Sequence, residues 1–212
     1  MKRLCTICAR GGSTGVPDKN LRPLLGRPLV AHSVEHALQS GLFDIVAVSS
    51  DSPDIVDAGT AAGAHEAVRR PDDLASDTAG KPPAIHHALR TLEDRLGVRF
   101  DQLVDMDATS PLRAVADIQG AVGLLDETGA VNVITGSPAH RSPYFNLVER
   151  RADGTVDLSK RTDPPIQRRQ DAPPCFDMNA SIYVWQRDAF DGDPRIFYPS
   201  TQLFEMPRSE EH

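Results

Sequence analysis

The segment from Ala9 to Asn20 holds the densest set of residues that could bind phosphate groups. It contains three glycines and two fixed positive charges, which are Gly11, Gly12, Gly15, Arg10 and Lys19. Glycine permits positive φ and close backbone approach, so successive N–H groups can form a concavity that holds an anion. The apolar run before the loop, 4–9, predicts a buried strand. A strand that opens into a basic, glycine-rich loop indicates a polyphosphate ligand.

The spacing of these glycines differs from that of the two commonest phosphate-binding loops. A Walker loop needs G-x-x-x-x-G-K-[ST] and a dinucleotide fingerprint needs G-x-G-x-x-G, and neither pattern fits here. A glycine-rich turn alone would be weak evidence. The phosphate interpretation is supported by the charges of Arg10 and Lys19, which flank the glycines.

Asp105 and Asp107 form a second group that could do chemistry, at the end of the apolar run 100–106. Residues two apart on a strand share a face, so the two carboxylates could converge at the edge of the sheet. Carboxylate oxygens in this D-x-D pattern are typical ligands of Mg²⁺. A structural role is the alternative, because Asp105 lies deeper along the strand.

The cysteine and histidine patterns predict no metal or redox centre. Cys5 and Cys8 are three residues apart on a predicted strand, which places their thiols on opposite faces. His32 and His36 are four apart on a predicted helix, but the glutamate of an H-E-x-x-H motif is absent. We expect all four to have ordinary structural roles.

Alternating strands and helices are predicted along most of the chain. Strands are predicted at 4–9, 43–50 and 100–106, and helices at 29–39, 54–62, 82–96 and 114–127. This alternation implies βαβ units, and we predict an α/β fold with a doubly wound, mostly parallel sheet. Ligands of such sheets bind beyond the carboxyl ends of the strands, where Arg10, Asp51 and Asp107 would meet.

The alternation stops between residues 137 and 175. Residues 144–149 and 156–158 predict a hairpin, with a turn at 152–155 between them. We therefore predict a nucleotide-binding core at 1–136, an insertion at 137–175 and a return to the core at 176–212.

Composition excludes several classes of partner. The chain has 212 residues and a formal net charge of −7, which argues against nucleic-acid binding, because that needs a clustered basic face. No apolar stretch approaches the roughly 18 residues needed to span a bilayer. Only six apolar or small residues separate Arg3 from Arg10, too few for a secretory signal. We expect a cytoplasmic protein that does not bind membranes.

Four ordered motifs resemble those of the acylneuraminate cytidylyltransferase family; they are 9–20, 70–78, 109–113 and 179–183. This resemblance covers nearly the whole chain. It implies a Rossmann-like nucleotidyltransferase that joins CTP to a nine-carbon 2-keto sugar acid, a nonulosonic acid, and releases pyrophosphate. It also implies Mg²⁺ as cofactor and a homodimer in which the insertion serves as the dimerisation segment and contributes to the partner's sugar site.

The resemblance assigns roles residue by residue. Arg10 and Lys19 would be catalytic, because they would hold the triphosphate and stabilise the leaving pyrophosphate. The nucleotide site would comprise Arg10, Gly11, Gly12, Ser13, Lys19, Asn20, Arg70 and Ala79. The sugar site would comprise Asp107, Arg169, Asn179, Tyr183 and Phe197.

Some of these roles have alternatives. Asp107 stands where sialic-acid-activating relatives often carry a glutamine that contacts the sugar, and it is also the candidate metal ligand. A carboxylate there would suit a differently decorated sugar, such as legionaminic acid, as well as N-acetylneuraminic acid. Arg169 would pair with the C1 carboxylate of the sugar. Tyr183 and Phe197 could face either the acyl group or the core.

Two departures from the family bear on activity. Thr14 stands where many relatives carry lysine, so one phosphate-contacting charge is absent. Relatives also continue, after Glu-Met-Pro, into an Ile-Asp-Ile-Asp-type segment that binds Mg²⁺, whereas this sequence ends at His212. We expect the 212-residue chain to bind CTP but to turn over more slowly than a version extended by that segment.

Two other functions compete with this hypothesis. One is a different sugar nucleotidyltransferase on the same sheet, which the motifs at 109–113 and 179–183 disfavour. The other is a catalytically idle dimer that binds a nucleotide or sugar, which the missing acidic segment keeps open.

Overall fold

A seven-stranded, mostly parallel sheet forms the centre of the computed structural model, which describes residues 1–12, 15–76 and 79–207. Its strands in chain order are β1 (Arg3–Cys8), β4 (Ile45–Ser50), β5 (Glu66–Arg69), β6 (Gln102–Met106), β7 (Asn132–Pro138), β10 (Phe176–Gln186) and β11 (Gln202–Glu205). Their order across the sheet is β11-β7-β10-β6-β1-β4-β5. Only β10 runs antiparallel to its neighbours, β6 and β7.

Helices cover both faces of this sheet, as a doubly wound fold requires. They are α1 (Leu29–Ser40), α2 (Pro53–Ala61), α3 (Lys81–Leu96) and α4 (Val115–Thr128). One core layer joins α1, α2 and α4 to the sheet, and the other joins α3. The predicted fold class is confirmed, and each predicted helix lies within a residue of its observed bounds.

Successive side chains of β1 and β6 point alternately into the two core layers. Cys5 and Ile7 belong to the first layer, whereas Leu4 and Leu103 belong to the second. Successive strand residues point to opposite faces, so a strand buried on both sides is apolar throughout. Asp105 lies two residues after Leu103 and therefore faces the α3 layer, where its side chain is fully buried.

Strand register brings the chemistry-bearing loops together. β1 lies between β4 and β6 and is parallel to both, with Cys8 opposite Ser49 and Thr6 opposite Asp105. The carboxyl ends of the three strands consequently meet at one edge of the sheet.

The chain leaves the central sheet after Pro138 and rejoins it at Phe176. The intervening segment contains a separate antiparallel pair, β8 (Val148–Arg150) and β9 (Val156–Leu158), which confirms the predicted hairpin. A second small pair, β2 (Pro23–Leu24) and β3 (Arg27–Pro28), follows the glycine-rich loop. Among the described residues, no helix is long and apolar enough to cross a bilayer.

Close packing of α2 on β4 depends on Gly59. A Cβ atom at Gly59 would lie 3.0 Å from Val48 Cβ and closer still to a Val48 methyl group. Gly123, on α4, has no atom within 4 Å of the same position. The two glycines thus form a matched pair within helices, one crowded and one open.

We predict that Gly59→Ala destabilises the fold by about 1–2 kcal/mol, because overpacking outweighs the better helix propensity of alanine. Gly123→Ala should instead stabilise the fold by up to about 1 kcal/mol. Urea unfolding followed by circular dichroism measures both. Equal changes in the two variants would show that α2 does not pack on β4 as closely as described.

Candidate active site

A cleft of about 480 Å³ opens at the carboxyl-terminal edge of the sheet, beyond the ends of β1, β5 and β6. The glycine-rich loop and the start of α3 form its walls. Side chains that line it include Arg10, Lys19, Asn20, Arg70, Lys81 and Asp107. The predicted convergence of Arg10 and Asp107 on one edge is confirmed, and Asp51 lies beside them, since its Oδ1 accepts a hydrogen bond from the Gly11 N–H at 3.0 Å.

Gly11 and Gly12 could adopt positive φ but do not, and Asp18 in the same loop has a left-handed φ of 51°. At Gly11 a Cβ atom would lie 3.1 Å from the Ser52 Cβ, so close approach to the β4–α2 turn explains that glycine. Ser13 and Thr14 lie outside the described residues.

The side chain of Asn20 is held at the base of the loop by one of its two polar atoms. Its Nδ2 donates to the Arg10 carbonyl at 2.9 Å, and the residue is 5% exposed. The buried Oδ1 has no hydrogen-bond partner among the described residues. A buried carbonyl oxygen without a partner is costly, so this atom is suited to accept a hydrogen bond from a ligand.

Arg70 lies at the end of β5 and is 5% exposed. Its Nη2 donates to the Ser49 carbonyl at 2.8 Å, which fixes the guanidinium against the β4 end. Ala79 lines the same wall of the cleft. The structure thus brings the described residues of the predicted nucleotide site to one region, with Arg10, Lys19, Asn20, Arg70 and Ala79 lining the cleft itself.

Lys81, the first residue of α3, points into the cleft between two carboxylates. Its Nζ lies 2.9 Å from Asp105 Oδ2 and 3.3 Å from Asp107 Oδ2. It also lies 4.6 Å from the centroid of the Tyr183 ring, a cation–π distance. The remaining Asp105 oxygen accepts a hydrogen bond from Thr6 Oγ1 at 2.8 Å.

Asp107 is held from both sides. Its Oδ1 accepts hydrogen bonds from the Thr109 N–H at 2.8 Å and the Thr109 hydroxyl at 2.7 Å, while Lys81 holds Oδ2. Burial acts to raise the pKa of Asp107, but the Lys81 charge and the Thr109 hydrogen bonds outweigh it and lower that pKa. Burial acts to lower the pKa of Lys81, but Asp105 and Asp107 outweigh it and raise that pKa. The Asp107 carboxyl and the Lys81 amine are therefore both charged at neutral pH.

Arg113 fixes the backbone beneath this cluster. The residue is 2% exposed; Nη1 donates to the Ser181 carbonyl at 3.0 Å, and Nη2 donates to Ser33 Oγ at 3.0 Å and to the Asp107 carbonyl. Burial lowers the pKa of Arg113 to about 10, which leaves it protonated at neutral pH. The guanidinium thus ties the end of β6 to β10 and α1.

The D-x-D pair does not fit a Mg²⁺ ion as it is arranged. Mg²⁺ binds carboxylate oxygens at about 2.0–2.1 Å, and the space between Asp105 Oδ2 and Asp107 Oδ2 holds the Lys81 ammonium. The described residues also include no group of three or more His, Cys, Asp or Glu side chains that could hold a metal ion.

Two predicted sugar residues lie on β10 beside this cluster. Tyr183 is 2% exposed, pairs with Asp105 across the sheet and stacks on Trp185 with ring centroids 5.4 Å apart. Its ring therefore belongs to the core, with one face under Lys81. Asn179 lies at a bulge, and its Oδ1 accepts from Thr135 Oγ1 at 2.7 Å.

The other two predicted sugar residues lie away from the cleft of their own chain. Arg169 is exposed and lines a separate cavity of about 360 Å³ with Arg141 and Glu205. Phe197 is 64% exposed and follows Ile196, whose carbonyl accepts from Asn132 Nδ2 at the amino end of β7. Because β6 and β7 are parallel, Phe197 and Asp107 lie at opposite ends of the sheet.

Sequence reasoning missed the roles of Lys81 and Arg113. The signal at Lys81 was a lysine directly before the predicted helix 82–96, at the end where the helix dipole favours anions and disfavours cations. Such a lysine indicates a tertiary partner, which here is the aspartate pair. Arg113 gave no comparable signal, because its acceptors are backbone carbonyls of distant segments.

Comparison with known proteins agrees with this geometry. The chain is 42% identical over 206 residues to post-translational flagellin modification protein B of Campylobacter coli, covering 97% of this chain and 86% of that protein. It is 40% identical over 206 residues to CMP-N,N′-diacetyllegionaminic acid synthase of Campylobacter jejuni, again covering 97% of this chain and 86% of that protein. The solved structure of CMP:2-keto-3-deoxy-manno-octonic acid synthetase complexed with CTP shares the fold, with a TM-score of 0.67, 20% identity and coverage of 90% of this chain and 76% of that one.

The sequence profile described as cytidylyltransferase matches residues 4–198, which is most of the chain and includes every residue that lines the cleft. The family that the motifs resembled is thereby established: this chain belongs to the cytidylyltransferases.

Proposed function

We propose that this protein transfers the cytidylyl group of CTP to a nonulosonic acid, with release of pyrophosphate. The observation that carries the proposal is that one cleft is lined both by a cationic loop, with Arg10 and Lys19, and by a fixed carboxylate, Asp107. Positive charge at one end suits a triphosphate, and an acceptor at the other suits the hydroxyl and amide N–H groups of a sugar.

The reaction needs positioning and charge neutralisation more than acid–base chemistry. The anomeric hydroxyl oxygen bonds to the α-phosphorus, the bond from that phosphorus to the bridging oxygen breaks, and the hydroxyl proton is released. Arg10 and Lys19 stabilise the negative charge that develops on the leaving pyrophosphate. Arg70 and the free Oδ1 of Asn20 hold the base or ribose. Mg²⁺ bound with the triphosphate would supply further charge neutralisation, and we assign it no ligand among the described residues.

The sugar that this proposal favours is of the N,N′-diacetyllegionaminic type. Asp107 offers an acceptor carboxylate, which would favour a sugar substituent that donates a hydrogen bond at that place. A relative that is 40% identical is named for that sugar.

Arg169 would bind the sugar carboxylate from a second subunit. Its cavity shares no lining residue with the main cleft of the same chain, so a role at the sugar needs a partner. Apolar side chains exposed on the segment that would form the interface support this; they are Phe145, Leu147, Val148, Val156, Phe176 and Met178.

The test is an assay of the full chain with CTP, Mg²⁺ and a panel of nonulosonic acids, read as pyrophosphate release and as CMP-sugar by mass spectrometry. ATP, GTP and UTP serve as nucleotide controls. CMP-sugar with at least one nonulosonic acid supports the proposal. A nucleotide-sugar from another nucleotide, or CTP binding without any product, would replace it with one of the two competing functions.

We predict that Lys19→Ala and Arg10→Ala each reduce turnover at saturating substrates by about 10²-fold or more, because each removes one preorganised charge. Arg69→Ala, an exposed arginine on β5 outside the cleft, is the control and should keep wild-type turnover. Circular dichroism and urea unfolding check that the variants remain folded under the assay conditions. Wild-type turnover in both cleft variants would show that neither Arg10 nor Lys19 stabilises the leaving pyrophosphate.

The Asp107→Gln variant tests the sugar contact. We predict a change of roughly tenfold or more in the ratio of kcat/KM for legionaminic over sialic acid, equivalent to about 1.4 kcal/mol. Glu127→Gln, which also replaces a carboxylate with an amide but at an exposed position on α4, should leave the ratio unchanged. An unchanged ratio in Asp107→Gln would show that this carboxylate does not contact a substituent that differs between the two sugars.

The dimer is tested by placing charges on the hairpin. Val148 and Val156 are 54% and 60% exposed, and we predict that Val148→Asp with Val156→Asp gives a monomer, since the charges would be buried at the interface. Leu25→Asp, at a side chain 90% exposed in the β2–β3 turn, is the control. Light scattering after gel filtration measures the mass. A wild-type chain that is monomeric at micromolar concentration contradicts the proposed interface.

A further inference from the structure

Lys81 occupies a position that a metal ion would take in many D-x-D sites. Its Nζ lies between one oxygen of each aspartate, at 2.9 Å from Asp105 and 3.3 Å from Asp107. The Lys81 side chain is 22% exposed, whereas Asp105 has no exposed surface. The cation therefore covers the buried carboxylate and shows one side to the cleft.

The two carboxylates require a cation at this place. Like charges at short range repel, and burial disfavours a charged carboxylate that lacks compensation. Thr6 satisfies only one Asp105 oxygen, and Thr109 satisfies only one Asp107 oxygen. The remaining oxygens of both aspartates face the same point, at which either an ammonium group or a divalent cation could compensate them.

Size prevents both cations from being present together. Mg²⁺ would lie about 2.1 Å from each oxygen, within the volume that the ammonium group fills. Lys81 is also covalently placed there, at the start of α3 between Gly80 and two prolines that begin the helix. The Tyr183 ring, 4.6 Å below, gives the ammonium a third favourable contact.

We propose that Lys81 is the resident cation of the Asp105–Asp107 pair, that it excludes a divalent metal ion from the pair, and that it positions the Asp107 carboxylate toward the cleft. Lys81 is a positioning residue, because it acts through Asp107. Asp107 then presents a fixed acceptor to whichever group the ligand brings. Only this last consequence rests on the proposed function.

The experiment measures binding of Mn²⁺, the probe in place of Mg²⁺, to the full chain without nucleotide or sugar, by electron paramagnetic resonance. We expect Lys81→Ala to bind one more Mn²⁺ than the wild type, with an affinity at least tenfold above any wild-type binding. The double variant Lys81→Ala with Asp107→Asn should lose that ion. Lys81→Arg keeps the positive charge and should behave as wild type.

Two results would overturn the proposal. One is a wild-type chain that binds Mn²⁺ and loses it in Asp107→Asn, since the pair would then be a metal site despite Lys81. The other is a folded Lys81→Ala chain that gains no Mn²⁺. Circular dichroism checks the fold, and Lys81→Met, which keeps the aliphatic stem, replaces Lys81→Ala if alanine prevents folding.

A second readout follows the positioning of Asp107. Lys81→Ala should raise the KM for the sugar at least tenfold while it changes the KM for CTP by less than threefold, and Lys81→Arg should restore part of the loss. Equal effects on both KM values would contradict the positioning role. The Mn²⁺ titration uses no substrate, so it decides the proposal even if the chain does not turn over these sugars.

Discussion

Parallel pairing of β1 with both β4 and β6 is the constraint on which the site depends. The register places Cys8 opposite Ser49 and Thr6 opposite Asp105, so the loops after all three strands open at the same edge. The hydrogen bond between Thr6 and Asp105 is a direct product of that register. A shift of one residue would turn Asp105 toward the apolar layer under α1 and α4, away from Lys81.

This arrangement concentrates charged side chains around one cleft. Arg10, Lys19, Lys81 and Asp107 all line it, and the Lys81 ammonium lies between Asp107 and the buried Asp105. A triphosphate and a sugar acid are both anions, so a site that joins them must supply positive charge. Arg10 and Lys19 are in place before either ligand arrives, and such preorganised charge lowers the barrier for phosphoryl-group chemistry.

Local patterns predicted most of the fold and part of the site. Helical periodicity at 29–39 and apolar runs such as 100–106 depend on neighbours in sequence, and the structure agrees with them. The central place of antiparallel β10 depends on pairing with β6 and β7, which no local pattern contains. For the same reason the D-x-D pair could be found in the sequence, while its pairing with Lys81, 24 residues before Asp105, depends on the fold and not on a local pattern. The glycines predicted where the loop would lie, and at Gly11 the structure uses the close backbone approach that glycine permits, although Gly11 and Gly12 do not adopt positive φ.

A crystal structure of the full chain with CTP would locate the nucleotide without any assumption about the sugar. We expect the triphosphate within hydrogen-bonding distance of Arg10 and Lys19, the cytidine beside Asn20 and Arg70, and the Lys81 ammonium still between its two aspartates. A nucleotide bound instead in the cavity that Arg169 lines, or a metal ion in the place of the Lys81 ammonium, would contradict this expectation.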